Sequence, residues 1–372
     1  MTAPLILLTA GGTGGHLFPA EALANALKAL GARVVLATDK RANAYAGSFP
    51  ADEIIEIPSA TPSGRSIPQM AKAALLLGAG TLKAVPEIRR LKPAVVVGFG
   101  GYPTVPPVVA ASLLRVPTVI HEANGVMGRA NRLLARWASV IATGFEATKG
   151  IPADVPGKVV RTGNPIRPSV LEASRQPYPS LPEGGKLRIL VVGGSQGARV
   201  MSDVVPPAIE LLAPEIRSRI VITQQARGED LERVQSHYAR LGVDFEAQPF
   251  FKDLPQRLAQ AHLVVSRSGA STVAELAVIG RPSILVPLPG SLDQDQAANA
   301  KTLGDIGAAI VLPQAEFTPE RLAGEIRSFL ERPESLTQAA AAAHSASITD
   351  AAERLAQAVL QLVPLKNNGK IS

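Results

Sequence analysis

The sequence has no cysteine, which excludes disulfides and every metal site built on thiolates and suits a cytoplasmic protein. Aromatic residues make up only 4%, too few for a base-stacking surface, so nucleic acid is a poor partner even at a formal charge of +7. Acidic lipid or a phosphorylated substrate fits that charge better. No apolar run approaches the ~20 residues that a membrane span needs. No basic segment precedes the first apolar run, so no signal peptide is expected. Both common phosphate fingerprints are missing too. His16 stands where a P-loop would carry its lysine, and Gly11, Gly12, Gly14 and Gly15 do not follow the dinucleotide spacing.

What is present is a strand-to-helix turn with four glycines. Leu5 to Leu8 is a continuous apolar run cut off by turn residues, and Glu21 to Leu30 has Leu23, Leu27 and Leu30 on one helical face with Gly31 as its stop. Bare backbone N–H groups ahead of a helix form a cradle for an anion, and a phosphate is the expected guest. A tight turn that binds nothing needs only one or two glycines.

The remaining first half alternates strand and helix. Arg33 to Thr38, Ala94 to Val97, Pro117 to Ile120 and Ser139 to Thr143 are predicted strands, and Arg129 to Trp137 is a predicted helix. Asp39 follows the second strand, where an acid either holds a ribose or caps the next turn. Gly98 to Pro107 is a second glycine turn, stiffened by prolines, and His121 to Gly125 is a polar cluster at a strand end. Between Ser63 and Lys92, Met70, Leu75, Leu76, Leu77 and Leu82 mix with Arg65, Lys72, Lys83, Arg89 and Arg90, opposed only by Glu87. That mixture suits either a core helix with a basic outer face or a segment lying on anionic lipid.

Composition marks the Pro- and Gly-rich section 174–185 as a linker. After it, Leu187 to Arg199 repeats the opening device: an apolar strand, then Gly193, Gly194 and Gly197, then a helix. The duplication predicts two doubly wound α/β domains with the ligand at their strand ends. Further on, the strand Leu263 to Val265 turns through Ser266 to Leu276 into a helix whose entrance offers hydroxyls and N–H groups to a diphosphate. Glu275, four residues after Ser271, shares its face and either receives a ribose diol or offsets the helix dipole. After the strand Ser283 to Val286, Asp293, Gln294, Asp295, Gln296 and Asn299 crowd one loop and helix start, suited to sugar hydroxyls. Asp293 to Asp295 spells the D-x-D of metal-dependent transfer, but two phosphate-binding helix entrances already supply positive potential and no metal is expected. Thr318 and Pro319 open a predicted helix, and Asp350 with Glu353 has capping-box spacing before a last helix, Ala351 to Leu362, ahead of a polar tail from Lys366.

Seven motifs in order then give a resemblance: Gly11 to Pro19, Gly100 to Tyr102, His121 to Gly125, Gly163 to Arg167, Gly193 to Arg199, Ser266 to Ala270, and Asp293 with Gln296 and Asn299. From Leu5 to Leu362 the chain resembles the MurG-type N-acetylglucosaminyltransferases of bacterial peptidoglycan synthesis. The resemblance implies a GT-B fold, two Rossmann-like domains with parallel sheets facing a deep cleft. Its boundaries put an acceptor and membrane-associated domain at 1–164, completed by 346–372, and a UDP-GlcNAc-binding domain at 165–345. The implied reaction moves GlcNAc from UDP-GlcNAc to the muramyl 4-hydroxyl of undecaprenyl-diphosphate-MurNAc-pentapeptide (lipid I), with inversion, giving lipid II. No cofactor and no metal are implied.

Carried over by position, Thr13, Gly14, Gly15, Asn124, Arg167, Ser195, Phe251, Ala270, Ser271, Thr272, Val273, Ala274, Glu275, Gln296 and Asn299 bind substrate. Glu275 would hold the ribose diol, the Phe251 backbone would meet the uracil, and His16 would be the general base. The resemblance also turns 63–92 toward the membrane reading, placing the protein peripherally on the cytoplasmic face of the inner membrane, where cell-wall synthesis proteins are further partners. Pro103 to Pro107 and Asp295 depart from the family pattern. The glycine loops alone suit two alternatives: a GT-B transferase with another nucleotide sugar or acceptor, and a non-catalytic nucleotide-binding membrane scaffold that has no need of His16.

Overall fold

A computed structural model describes residues 3–11, 14–39, 49–59, 67–194, 197–290 and 295–364. Two compact units share the chain: 1–167 with 350–372, and 168–349. In the first unit the elements run β1 (Leu5–Thr9), α1 (Gly14–Ala29), β2 (Arg33–Thr38), β3 (Glu53–Glu56), α2 (Ile67–Leu91), β4 (Val95–Gly98), α3 (Val105–Leu113), β5 (Thr118–Glu122), α4 (Arg129–Leu134), β6 (Val140–Thr143) and β7 (Lys158–Arg161). The seven strands pair in parallel in the order β3-β2-β1-β4-β5-β6-β7. Strand order therefore reverses between β1 and β4, and the glycine turns after these two strands meet at the crevice where open parallel sheets take their ligands.

The second unit runs α5 (Pro168–Ala173), β8 (Leu187–Val192), α6 (Arg199–Glu210), α7 (Pro214–Arg217), β9 (Ile220–Gln225), α8 (Gly228–Leu241), β10 (Asp244–Gln248), α9 (Leu254–Gln260), β11 (Leu263–Ser266), α10 (Ala270–Ile279), β12 (Ser283–Leu285), α11 (Asp295–Gly304), β13 (Ala309–Val311), α12 (Pro319–Glu331) and α13 (Pro333–Ser345). Its parallel sheet has the order β10-β9-β8-β11-β12-β13, so the switch point lies between the repeated glycine turn after β8 and the hydroxyl-rich turn after β11. The last helix, α14 (Ala351–Leu360), belongs to the first unit, where Leu355, Ala356 and Val359 are buried with Leu17, Leu23 and Leu27 of α1.

Several expectations need correction. Helix α1 begins at Gly14, not Glu21, and takes in His16 and Pro19. Proline has no N–H for the Gly15 carbonyl, which is why the pattern suggests a later start. In the proline-stiffened second turn, Tyr102–Thr104 forms a 3-10 turn that leads straight into α3, whose first residues carry Pro106 and Pro107. Proline costs nothing in a first helical turn, where the N–H has no partner anyway.

The Pro-rich section 174–185 joins no domains. It lies within the second unit, strapped down by a hydrogen bond that the Tyr178 hydroxyl donates to the His262 carbonyl at 2.9 Å, while the unit boundary falls after Arg167. Asp350 makes no capping bond and instead pairs with Arg354 at 2.9 Å, and α14 stops at Leu360. Thr318 does cap α12, accepting from the Arg321 N–H at 3.2 Å.

Helix α2 has two faces. Ala73, Ala84 and Ile88 are buried and Leu77 packs on the same core, whereas Met70, Leu75, Leu76 and Leu82 are exposed. Among the described residues no helix is long and apolar enough to cross a membrane.

Candidate active site

In the first unit the two glycine turns dock on each other. A Cβ on Gly11 would lie 2.1 Å from Pro103 Cγ, so the proline that departs from the family pattern seals the first turn against the second. Gly100 and Gly101 hold φ of 84° and 73°, left-handed values that favour glycine. Their bare Cα atoms admit the His16 ring: a Cβ on Gly100 would stand 3.4 Å from His16 Cε1, and one on Gly101 3.3 Å from Nε2. The imidazole is part-buried, and its Nδ1 is shut off from solvent. Burial lowers the His16 pKa, against a smaller opposing pull from the Phe99 backbone. At neutral pH the ring is therefore an unprotonated base.

Beneath it sits a second imidazole. His121, wholly buried at the end of β5, bonds through Nε2 to the Gly163 carbonyl at 3.1 Å. Burial brings its pKa down to about 4, with the nearby His16 contributing to the fall. The next residue, Glu122, accepts four hydrogen bonds. Oε1 receives the Asn124 N–H at 3.0 Å and its Nδ2 at 3.1 Å, and Oε2 receives the Gly128 N–H at 3.0 Å and Asn131 Nδ2 at 2.8 Å. Burial pushes the Glu122 pKa up and these donors draw it back; an acceptor of four N–H groups has the geometry of the ionised form. Glu122 thus shapes the 123–128 loop that carries Asn124. It was missed as a functional position, although the polar cluster at a strand end was its signal.

Arg167, at the end of the first unit, has its guanidinium carbon 3.8 Å from the Phe18 ring centroid. Thr13 lies outside the described residues, as does Ser195 of the second glycine turn.

In the second unit, α10 is capped by Gly269, which has no side chain to give its first-turn N–H groups. Ala270, Ser271 and Thr272 bring those N–H groups to the end of β11, and the buried Ser271 Oγ has no hydrogen-bond partner. Glu275 is buried and sits beyond the first turn of α10, where an acid does little for the dipole. Val273 and Ala274 lie in the same turn, with Val273 facing the core. Phe251 is buried below the Arg257 guanidinium, 4.4 Å from ring centroid to carbon.

Gln296 and Asn299 are brought to this turn from α11. The Gln296 carbonyl accepts from Ser268 Oγ at 2.8 Å and its Oε1 from the Leu288 N–H at 3.0 Å, while Asn299 Nδ2 donates to the Ser268 carbonyl at 3.2 Å. Asn299 is fully buried, so its side chain serves the Ser268 loop. Arg267, not singled out from the sequence, staples three loops: Nη1 donates to the Val286 and Pro287 carbonyls at 3.1 and 3.2 Å, and Nη2 to Gln314 Oε1 at 2.6 Å. Burial lowers its pKa. Among the described residues its acceptors are all neutral, and its positive charge lies beside the entrance to α10.

Residues 6–143 match the glycosyltransferase family 28 N-terminal domain, and residues 188–355 match the glycosyltransferase family 28 C-terminal domain. A protein of Methylorubrum populi named UDP-N-acetylglucosamine–N-acetylmuramyl-(pentapeptide) pyrophosphoryl-undecaprenol N-acetylglucosamine transferase is 62% identical over 96% of this chain and 97% of its own. One of the same name from Rhodopseudomonas palustris is 57% identical, over 97% and 98%. Among solved structures, Acinetobacter baumannii MurG superposes with a TM-score of 0.76 at 30% identity, covering 96% of this chain and 99% of that one.

Proposed function

The chain belongs to the MurG-type N-acetylglucosaminyltransferases of glycosyltransferase family 28, and from that premise we propose how its residues carry out the transfer. The reaction moves GlcNAc from UDP-GlcNAc to the muramyl 4-hydroxyl of lipid I and yields lipid II. His16 takes the proton of that hydroxyl as its oxygen attacks the anomeric carbon. The bond to the diphosphate breaks on the opposite side, UDP leaves with the electron pair, and a single displacement inverts the centre.

Charge develops on the leaving diphosphate, and fixed N–H groups act most strongly on such charge. The uncapped entrance of α10 at Ala270 to Thr272, the Ser271 hydroxyl and Arg167 supply it; Gly14, Gly15 and Asn124 shape the approach to the sugar. Glu275 takes the ribose diol and the Phe251 backbone meets the uracil, while Gln296 reads the sugar hydroxyls. Lipid I enters from a membrane surface on which the exposed leucines and exposed bases of α2 rest, and the protein works there peripherally, on the cytoplasmic side.

The single observation that carries this reading is the neutral His16 ring lodged between Gly100 and Gly101 at the switch point of the first sheet. It sets an enzyme apart from a nucleotide-binding scaffold. Incubation with labelled UDP-GlcNAc and a lipid I analogue yields the disaccharide. His16→Ala abolishes that product while UDP-GlcNAc binding, measured by calorimetry, persists, and undiminished turnover in the variant rejects His16 as the base. For the donor site, Glu275→Ala raises the donor KM far more than the acceptor KM; equal effects remove the ribose assignment.

A further inference from the structure

Helix α1 carries more than the candidate base. Gly14, Phe18 and Glu21 stand at i, i+4 and i+7 and share one stripe of the helix. Along that stripe the Phe18 ring lies across the first turn, so close that a Cβ on Gly14 would meet its Cε2 at 2.8 Å and its Cζ at 3.0 Å. The other side of the ring carries the Arg167 guanidinium, 3.8 Å from its centroid. One turn on lies the part-buried Glu21, whose pKa burial raises against a smaller opposing pull from the charge of the same arginine. The arginine is thus stacked on a ring, faced by an acid and anchored to the helix that begins at the glycine turn.

We propose that Phe18 is a positioning residue for the transfer reaction, holding the Arg167 guanidinium in the orientation that receives the donor diphosphate. The proposal rests on the reading of Arg167 as a donor ligand. Arginine loses rotamer freedom when it grips a phosphate, and a guanidinium already stacked on a ring has less to lose. A phosphate engages the N–H edges of a guanidinium, whereas a ring engages its face, so the stack sets the plane in which those edges lie. A residue with no π-face fills the space and gives up the hold.

Two measurements test it. Phe18→Leu raises the donor KM about three- to tenfold, the range expected for losing one cation–π contact, with kcat and the acceptor KM nearly unchanged. Phe18→Tyr, which keeps the face, restores the donor KM. In an Arg167→Ala background Phe18→Leu adds nothing. Without substrates, ¹⁵N relaxation of the Arg167 Nε–H reports greater motion in Phe18→Leu than in wild type or Phe18→Tyr; Phe18→Met serves if the leucine variant does not fold. An Arg167 that stays equally ordered overturns the proposal, as does a Phe18→Leu effect that persists without Arg167 or falls equally on both substrates. Should Arg167→Ala leave the donor KM unchanged, the donor-ligand reading fails, whereas the relaxation result still reports whether the ring holds the arginine.

Discussion

Glu122→Gln should cost nearly as much as removing the side chain, although the two residues are almost the same shape. The reason is that each carboxylate oxygen receives one backbone N–H, Asn124 on Oε1 and Gly128 on Oε2, both at 3.0 Å. The Asn124 and Asn131 amides can turn over; backbone N–H groups cannot. Whichever way a glutamine is placed, its own NH2 faces one of those backbone donors. That buried N–H then loses its acceptor, at about 1–3 kcal/mol, and a charge-assisted bond on the same oxygen goes with it, at about 1.5–3 kcal/mol. A net loss of about 3 kcal/mol is expected, offset slightly by the relief of burying no charge. Urea unfolding of Glu122→Gln and Glu122→Ala beside wild type reads this directly, with the midpoint falling at an unchanged slope. A loss below about 1 kcal/mol for the glutamine variant would show that the loop relaxes around an amide and that four ordered donors are not what shapes it.

Three other predictions follow from the same geometry. His121 titrates near 6.5 in an unfolded chain and at about 4 when folded, so the unfolded state takes up the proton first as pH falls, and stability complete above 6.5 is lost progressively down to about 4, by about 3 kcal/mol. His121→Gln, whose amide can still donate to the Gly163 carbonyl, flattens that acid slope; an identical slope in both proteins would refute the assignment. Arg267→Lys fails to replace arginine, because one ammonium cannot serve the Val286, Pro287 and Gln314 acceptors as a fork does, and the donor KM rises about tenfold with the acceptor KM little changed; full rescue by lysine would show that charge alone matters. On α2, Lys72, Lys83 and Arg89 replaced by Gln release the protein from anionic vesicles, at about 1 kcal/mol per base. Arg90 is left out because Glu53 at 2.5 Å and Glu87 at 2.8 Å already hold it, and retention of the triple variant would return α2 to a plain core helix.

Much of the fold was legible because parallel strands buried on both faces are continuous apolar runs. Leu5 to Leu8, Arg33 to Thr38 and Leu187 to Val192 could be read directly. The edge strands β3, β7 and β10 could not, since Glu53–Glu56, Lys158–Arg161 and Asp244–Gln248 face solvent on one side and carry charge along their length. Proline misled twice in opposite directions. Pro19 hid the true start of α1, and the prolines of 174–185 suggested a linker where Tyr178 in fact fastens a strap to its own unit.

The site was legible in its glycines and hydroxyls and opaque in its buried charges. Glu122 and Arg267 touch no expected ligand atom, and nothing in local spacing says that a carboxylate will gather four donors from three residues. Such groups become visible only when the chain is folded, because their partners come from other loops: Arg267 finds Val286, Pro287 and Gln314, and Glu122 finds Gly128 and Asn131.

The same contrast explains how one repeated device serves two purposes. Both sheets reverse their strand order beside a glycine turn, at β1 and at β8, and in each unit the neighbouring strand across the switch point supplies the second turn. In the second unit that neighbour ends in hydroxyls and a helix entrance with no side-chain cap, the place proposed above for the diphosphate. In the first it ends in Gly100 and Gly101, whose missing side chains let an imidazole settle against backbone, and burial there keeps His16 uncharged. Kept on the first unit, it faces the Phe99 carbonyl, which favours the proton as it arrives. On the proposed assignment, anion binding and proton acceptance fall to two copies of one turn, and each can be tuned without weakening the other.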